Sequence, residues 1–272
     1  MLAQDFNESR TLKDSLRESR RMWVQPKLDG IRARVTKDGV FSRNDKKLVT
    51  VPHIEEALKS FFQAYPNDEL DGELYCHDLQ DNFPKLCSIV KKLYPTSSDL
   101  EEAQKMQYWI FDSPTISGSF GKRTTDLWFA FDDALHPLIW TPTDEVTSNS
   151  DVYDACDEFV KQGFEGAIVR LDTPYEGKRS AGLLKLKPTF DEWMIPLKVE
   201  EGMGKLKGHA GAIIVLTPWG KRVRITAGGD YQQRQATWQD RAYIELHRPK
   251  IHVKYQKMLP SGDLRHAVQL MD

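Results

Sequence analysis

Lys27 stands in Lys27-Leu28-Asp29-Gly30, a tight turn between two strand-like runs, with Arg32 just beyond it. A turn lysine is ordinarily solvated and structural; as a neutral amine it is also a nucleophile. Its company elsewhere in the chain favours the second use. Asp71-Gly72-Glu73 ends one strand-like run, Phe111-Asp112 ends another, and Glu165-Gly166 precedes a third. Lys185 and Lys187 alternate among Leu183, Leu184 and Leu186, so both point to one face of a strand. An exposed strand face would show the same alternation, but cations gathered on one side also suit a polyphosphate. Together these pieces describe a pocket with a lysine nucleophile, carboxylates for a metal and cations for phosphate.

The elements that must position these groups are legible in outline. Met22–Gln25 and Ile31–Thr36 flank the lysine turn, and Lys37-Asp38-Gly39 reads as a hairpin turn. Pro52 opens a helical pattern with Ile54, Leu58, Phe61 and Phe62 on one face. Further strands are expected at Glu69–Cys76, Gln107–Phe111, Ala167–Leu171 and Leu183–Lys187. A helix is expected over Asp151–Gln162, with Gly163 as its C-terminal cap. Residues 1–21 are polar and read as a surface segment. Beyond Lys187-Pro188, Ala210–Pro218, Lys221–Ala227 and Lys250–Leu259 are strand-like, with a helical stretch at Tyr231–Glu245. Several strands and one helix in so short a span suit a small barrel. The fold class is therefore α+β: an antiparallel-sheet domain with helices over 1–188, then a β-barrel over 189–272.

Composition sets the outer bounds. The 272 residues are 40% hydrophobic and 29% charged, as in ordinary globular chains and unlike disordered ones. The longest apolar run, Ala210 to Leu216, is too short to cross a bilayer. Cys76, Cys87 and Cys156 have no metal-ligand spacing, and their odd number argues against a disulfide framework, so a cytoplasmic location is expected. Net charge is −2, but residues 191–272 carry 13 Lys and Arg against 9 Asp and Glu, with the acidic excess in the remainder. A basic block beside an acidic one hints at different partners for the two parts.

In chain order, Lys27-Leu28-Asp29-Gly30-Ile31-Arg32, Asp71-Gly72-Glu73, Trp109-Ile110-Phe111-Asp112, Phe164-Glu165-Gly166 and Leu184-Lys185-Leu186-Lys187-Pro188 resemble the successive motifs of the ATP-dependent DNA ligases. These belong to the covalent nucleotidyltransferases, with the RNA ligases and mRNA capping enzymes. The resemblance runs from Met1-Leu2-Ala3 to Leu264-Arg265-His266. It implies a nucleotidyltransferase (adenylation) domain followed by an OB-fold barrel, a class used for nucleic acid.

The resemblance also implies roles. Lys27 would attack the α-phosphate of ATP and hold AMP as a phosphoramidate. That needs a neutral amine, whereas a free lysine has a pKa near ~10.4, so neighbouring cations are expected to activate it. Glu165, with Glu73, would hold magnesium or manganese, which would neutralise developing phosphate charge. Glu73 would bind the ribose hydroxyl, Arg32 the ribose and phosphates, Phe111 would stack on adenine, and Gln25 would read it. Lys185 and Lys187 would grip the α-phosphate. Arg43 would handle phosphate and the DNA strand ends, while Lys178 and Arg179 match basic positions turned toward DNA. Arg265 would orient the leaving pyrophosphate, although the motif that holds it is followed at once by Ala267-Val268-Gln269 and the chain end.

The implied protein is a monomeric ligase of minimal form that seals nicks in duplex DNA during repair, replication or recombination and has no membrane partner. An RNA ligase is the alternative within the superfamily, and a non-catalytic nucleic-acid-binding protein is one outside it. A capping enzyme fits less well, since that family usually has threonine where Leu28 stands.

Overall fold

The structure, a computed structural model, describes residues 2–6, 21–259 and 261–271. The chain divides into two compact units, Met1–Lys187 and Pro188–Asp272. In the first, the strands are β1 (Leu2–Asp5), β2 (Met22–Pro26), β3 (Ile31–Thr36), β4 (Gly39–Ser42), β5 (Leu70–Tyr75), β6 (Gln107–Asp112), β7 (Leu138–Trp140), β8 (Asp144–Val146), β9 (Ala167–Leu171) and β10 (Arg179–Leu186). They form two five-stranded sheets, ordered β1-β10-β9-β2-β8 and β4-β3-β5-β6-β7. The sheets are mixed rather than antiparallel throughout, because β1 runs parallel to β10 and β7 parallel to β6. A parallel neighbour requires a crossover, and the helix Phe120–Phe131 lies between β6 and β7 in the chain.

The start of the chain departs from the surface segment expected there. Leu2–Asp5 adds a strand to the first sheet, and Phe6 is buried in its core. Residues 7–20 of that expected segment lie outside the described residues.

Each sheet is covered by helices through an apolar face. Ile54, Leu58, Leu86 and Ile89 pack with Ala33, Val35, Leu74 and Ile110 of the second sheet. Val152, Cys156 and Phe159 pack with Met22, Val24, Val169 and Leu184 of the first. Each such side chain contributes roughly 1.5–3 kcal/mol on burial, so the helices are held mainly by packing. Phe164 packs against both clusters, immediately before Glu165. The helix that opens at Pro52 bends at Leu58 into Pro52–Ala57 and Lys59–Ala64, yet Leu58 N–H still donates to Ile54 O at 3.1 Å. The helix Asn149–Lys161 starts at a reciprocal Ser148–Asp151 capping box, and Gly163 follows its end at φ 93°.

The helix Phe120–Phe131 was not legible because Arg123 stands in the buried face formed by Phe120, Leu127 and Phe131. The helices Phe83–Val90 and Ser97–Ala103 are short, and their sequences were assigned no element.

In the second unit, β11 (Phe190–Glu201), β12 (Ala210–Leu216), β13 (Arg222–Thr226), β14 (Ile251–Tyr255), β15 (Lys257–Met258), β16 (Leu264–Arg265) and β17 (Val268–Gln269) are the strands. Five of them close a barrel in the order β11-β12-β13-β17-β14. Val223 and Ile225 point inward from β13 while Arg222, Arg224 and Thr226 point out, the period of a half-buried strand. They join Met194, Val199, Ile213, Val215 and Val253 in the barrel core. The expected helix at Tyr231–Glu245 is two, Tyr231–Gln239 and Arg241–His247, divided at Asp240. The cysteines are free, and among the described residues no helix is long and apolar enough to cross a membrane.

Candidate active site

Lys27 follows directly on β2, where the chain leaves the first sheet for β3 in the second. Two backbone hydrogen bonds fix it against the Glu165-Gly166 loop: Lys27 N–H donates to Gly166 O at 2.8 Å, and Glu165 N–H donates to Lys27 O at 3.0 Å. The glycines of these two motifs permit the approach. A β-carbon on Gly30 would lie 2.4 Å from Leu74 O. One on Gly166, whose φ is 148°, would lie 2.3 Å from Leu186 O. Lys27 Nζ and Lys187 Nζ each donate to a different oxygen of the Glu165 carboxylate. Burial works to raise the Glu165 carboxyl, but the two ammonium groups together hold it below its ordinary value.

A cavity of about 360 Å³ opens in front of Lys27, lined from both sheets of this unit. Its lining mixes two chemistries. Arg32, Lys27, Lys185 and Lys187 supply cations, whereas Gln25, Phe111, Ile168 and Leu183 supply aromatic, apolar and uncharged polar surface. Glu165 is not itself a lining residue; it lies behind the two lysines it joins. Lys185 lines the cavity and has no ion pair among the described residues, so its side chain can turn to an anion.

Arg32 is presented by a buried acid, Asp71. Its Nε and Nη2 donate to Asp71 at 2.8 and 2.5 Å, and Tyr175 OH donates to the same carboxylate at 2.9 Å. Desolvation alone would lower the Arg32 pKa, but the Asp71 charge and hydrogen bonds raise it above its ordinary value. Glu73 lies two residues along β5 and so on the same face as Asp71. Desolvation outweighs the nearby Lys27 and Arg32 charges and pushes its carboxyl up to about 8.

Sequence reasoning missed Arg170, which is 3% exposed on β9. It donates to Gln25 Oε1 at 3.0 Å and to Asp112 Oδ2 at 2.9 Å, and its guanidinium lies 5.1 Å from the Phe111 ring centroid. Arg123 donates to Asp112 from the other side at 2.7 Å. Desolvation pulls the Arg170 pKa down despite the Asp112 charge. The available signal was a lone cation inside the apolar strand Ala167-Ile168-Val169-Arg170-Leu171.

The remaining candidates are dispersed. Arg43 is exposed and lines a second cavity of about 640 Å³ with Lys46, Lys91 and Lys92, sharing Arg32 and Glu73 with the first. Arg179 lines the first cavity and donates to Ala3 O at 3.3 Å. Lys178 is exposed and lines neither cavity. Arg265 is in the second unit, on the β15–β16 hairpin opposite Lys257. Among the described residues no three His, Cys, Asp or Glu groups gather into a metal cage. Magnesium is commonly held by one or two carboxylates plus substrate phosphates and water; Glu165 would have to release a lysine and Glu73 its proton to serve in that mode.

A lysine held at a cation-rich cavity between two sheets, in a chain that goes on to a five-stranded barrel, defines a nucleotide-transferring class of protein. Residues 1–187 match the ATP-dependent DNA ligase domain, and residues 201–271 match the DNA ligase OB-like domain. The chain belongs to the ATP-dependent DNA ligase family. A probable DNA ligase of Beutenbergia cavernae is 31% identical over 246 residues, 82% of this chain and 45% of that protein. The DNA ligase of Haemophilus influenzae is 25% identical over 218 residues, 78% of this chain and 75% of its own. The chain thus spans less than half of one relative and three quarters of the other. A solved Lig E DNA ligase shares the fold at a TM-score of 0.75, with 24% identity over 99% of this chain and 97% of that one. The ATP complex of the bacteriophage T7 ligase is more distant, with a TM-score of 0.54 and 15% identity over 99% and 96% of the two chains.

Proposed function

We propose that this chain is a minimal ATP-dependent DNA ligase, with an adenylation domain over 1–188 and an OB domain over 189–272, that seals nicks in duplex DNA. The observation that carries the reading is the pairing of Lys27 and Lys187, both of which line the cavity, with Glu165. In the first step the lone pair of Lys27 Nζ forms a bond to the α-phosphorus of ATP. The bond from that phosphorus to the bridging oxygen breaks, pyrophosphate leaves, and Nζ loses its proton. Freeing that lone pair sends one ammonium proton to solvent; the amine left has two N–H groups, one of which can still donate to Glu165. A 5′-phosphate oxygen of the nick then takes AMP from Lys27. Finally, the 3′-hydroxyl oxygen attacks the 5′-phosphorus, and AMP leaves.

Lys185 and Lys187 hold the α-phosphate, Arg32 the ribose and phosphates, and Glu73 the ribose hydroxyl. Phe111 stacks on adenine and Gln25 reads it. Magnesium or manganese, held by Glu165 and Glu73, would neutralise developing phosphate charge. Arg43, Lys178 and Arg179 contact DNA, and Arg265 orients pyrophosphate. The protein works as a monomer. Incubation with α-labelled ATP, followed by nicked DNA and nicked RNA substrates, tests the reading. Covalent label on Lys27 and sealing of the DNA nick are expected; label without DNA sealing would refute the substrate assignment, and absence of label the enzyme.

A further inference from the structure

Gln25 lines the cavity and is 2% exposed, and its partners decide which way its carboxamide points. A guanidinium has only donors. The atom facing Arg170 Nε at 3.0 Å is therefore the carboxamide oxygen. The amide nitrogen donates to Thr143 Oγ1 at 2.9 Å, and that hydroxyl donates onward to Thr141 O at 2.8 Å. The Phe111 carbonyl oxygen lies 3.5 Å from the same nitrogen and takes its second N–H. A carboxamide has two N–H donors and two acceptor lone pairs. Here both donors are spent on protein, one lone pair accepts from Arg170, and one lone pair is left for a ligand.

Arg170 is itself immobilised. Its Nη1 donates to Asp112, which Arg123 also grips through Nε and Nη2, and its guanidinium lies 5.0 Å from the Phe120 ring centroid as well as near Phe111. Neither Arg170 nor Thr143 is required to hold phosphate or to react.

We propose that Arg170 and Thr143 are specificity-determining positioning residues: they lock Gln25 as a hydrogen-bond acceptor and so select a purine with a 6-amino group over one with a 6-oxo group. The inference rests on the cavity being the ATP site. Adenine presents a donor at that position and guanine an acceptor. Guanine against the locked oxygen would leave two acceptors facing each other without a proton, and unpaired buried polar groups are what give polar sites their strong rejection. An unlocked glutamine would turn over and present its N–H to guanine instead. Arg170 sets the oxygen, and Thr143 holds the nitrogen away from the ligand.

The test measures kcat and KM for covalent nucleotide transfer to Lys27 from ATP, GTP and purine riboside triphosphate, which lacks the 6-amino group. In the wild type, loss of the 6-amino group should raise KM by about five- to tenfold, the worth of one hydrogen bond. In Thr143→Val, which frees the amide nitrogen while Arg170 still holds the oxygen, that difference should shrink, and the preference for ATP over GTP should fall by about threefold. In Arg170→Met, which keeps an unbranched side chain but removes the donor facing the oxygen, the difference should collapse and the preference for ATP over GTP should fall by about tenfold or more, with KM moving more than kcat. A purely structural role would weaken all three nucleotides alike. Should Arg170→Met not fold, Thr143→Val decides, since it leaves Asp112 untouched. Wild-type discrimination retained in folded Thr143→Val overturns the inference alone. A wild-type chain that takes no label from ATP overturns the proposed function and the inference with it.

Discussion

Replacing Glu165 by glutamine removes one charge and leaves two cations facing each other. The Glu165 side chain is 11% exposed, and those of Lys27 and Lys187 are each 20% exposed. Breaking a buried ion pair from one side costs about 3–5 kcal/mol, and the residual solvent access here screens part of it, so about 2–3 kcal/mol is expected. For a unit of this size that is a fall in Tm of about 5–10 °C. The pH dependence has a definite sign. The folded carboxyl lies below its ordinary value of 4.5, held there by the two ammonium groups against the effect of burial. Its stabilisation is therefore fully present above that ordinary value and is lost as pH falls through the folded one. Urea unfolding followed by circular dichroism at about pH 7 and about pH 3.5 should show the wild-type advantage at the first and its shrinkage at the second. An advantage that is absent at neutral pH, or that grows on acidification, would refute the account of Glu165 as the clamp between two lysines. Labelling by ATP should fall by about 100-fold in the folded variant, since the carboxylate would hold the metal that neutralises developing phosphate charge.

Lys27→Ala and Lys27→Arg should both abolish covalent AMP labelling, because alanine has no nucleophile and guanidinium stays protonated; wild-type labelling of either would show that another residue carries AMP. Glu73→Gln should become more stable relative to wild type by more than about 1 kcal/mol as pH rises from about 5 to about 8, because the folded wild type retains a proton that the unfolded chain has lost. That window follows from the Glu73 carboxyl being pushed up to about 8, and a flat difference across it, read by denaturant titration, would contradict the burial that raises it. A fragment ending at Lys187 retains both apolar clusters of the first unit, so it should stay folded by circular dichroism. It should bind nicked DNA with a shallower dependence on salt than the full chain, since log affinity falls by about 0.9 per phosphate neutralised; equal slopes would show that the basic block after residue 190 is not a DNA contact.

The sequence by itself carried the motif order and most of the elements that hold it. Lys27 in its turn, the strands around it, Glu165 before β9 and the alternating Lys185 and Lys187 were legible because each depends on contacts within a few residues. Glycine spacing and strand alternation record backbone geometry locally. The barrel was legible in outline from three strand-like runs, but β11 was not assigned, because its burial follows a bulged pairing with β12 rather than a clean period of two. Nor was the strand at Leu2–Asp5, whose partner β10 lies at the other end of the unit.

Partnerships between polar side chains were decided only in three dimensions. Asp71 joins Arg32 across β3 and β5, and Arg170 reaches Gln25 across 145 positions of chain and Asp112 across 58. Nothing in the local pattern distinguishes a cation that holds a ligand from one that holds another side chain. That choice depends on burial, which makes an unpaired charge too costly to leave, and on which strands the tertiary fold brings side by side.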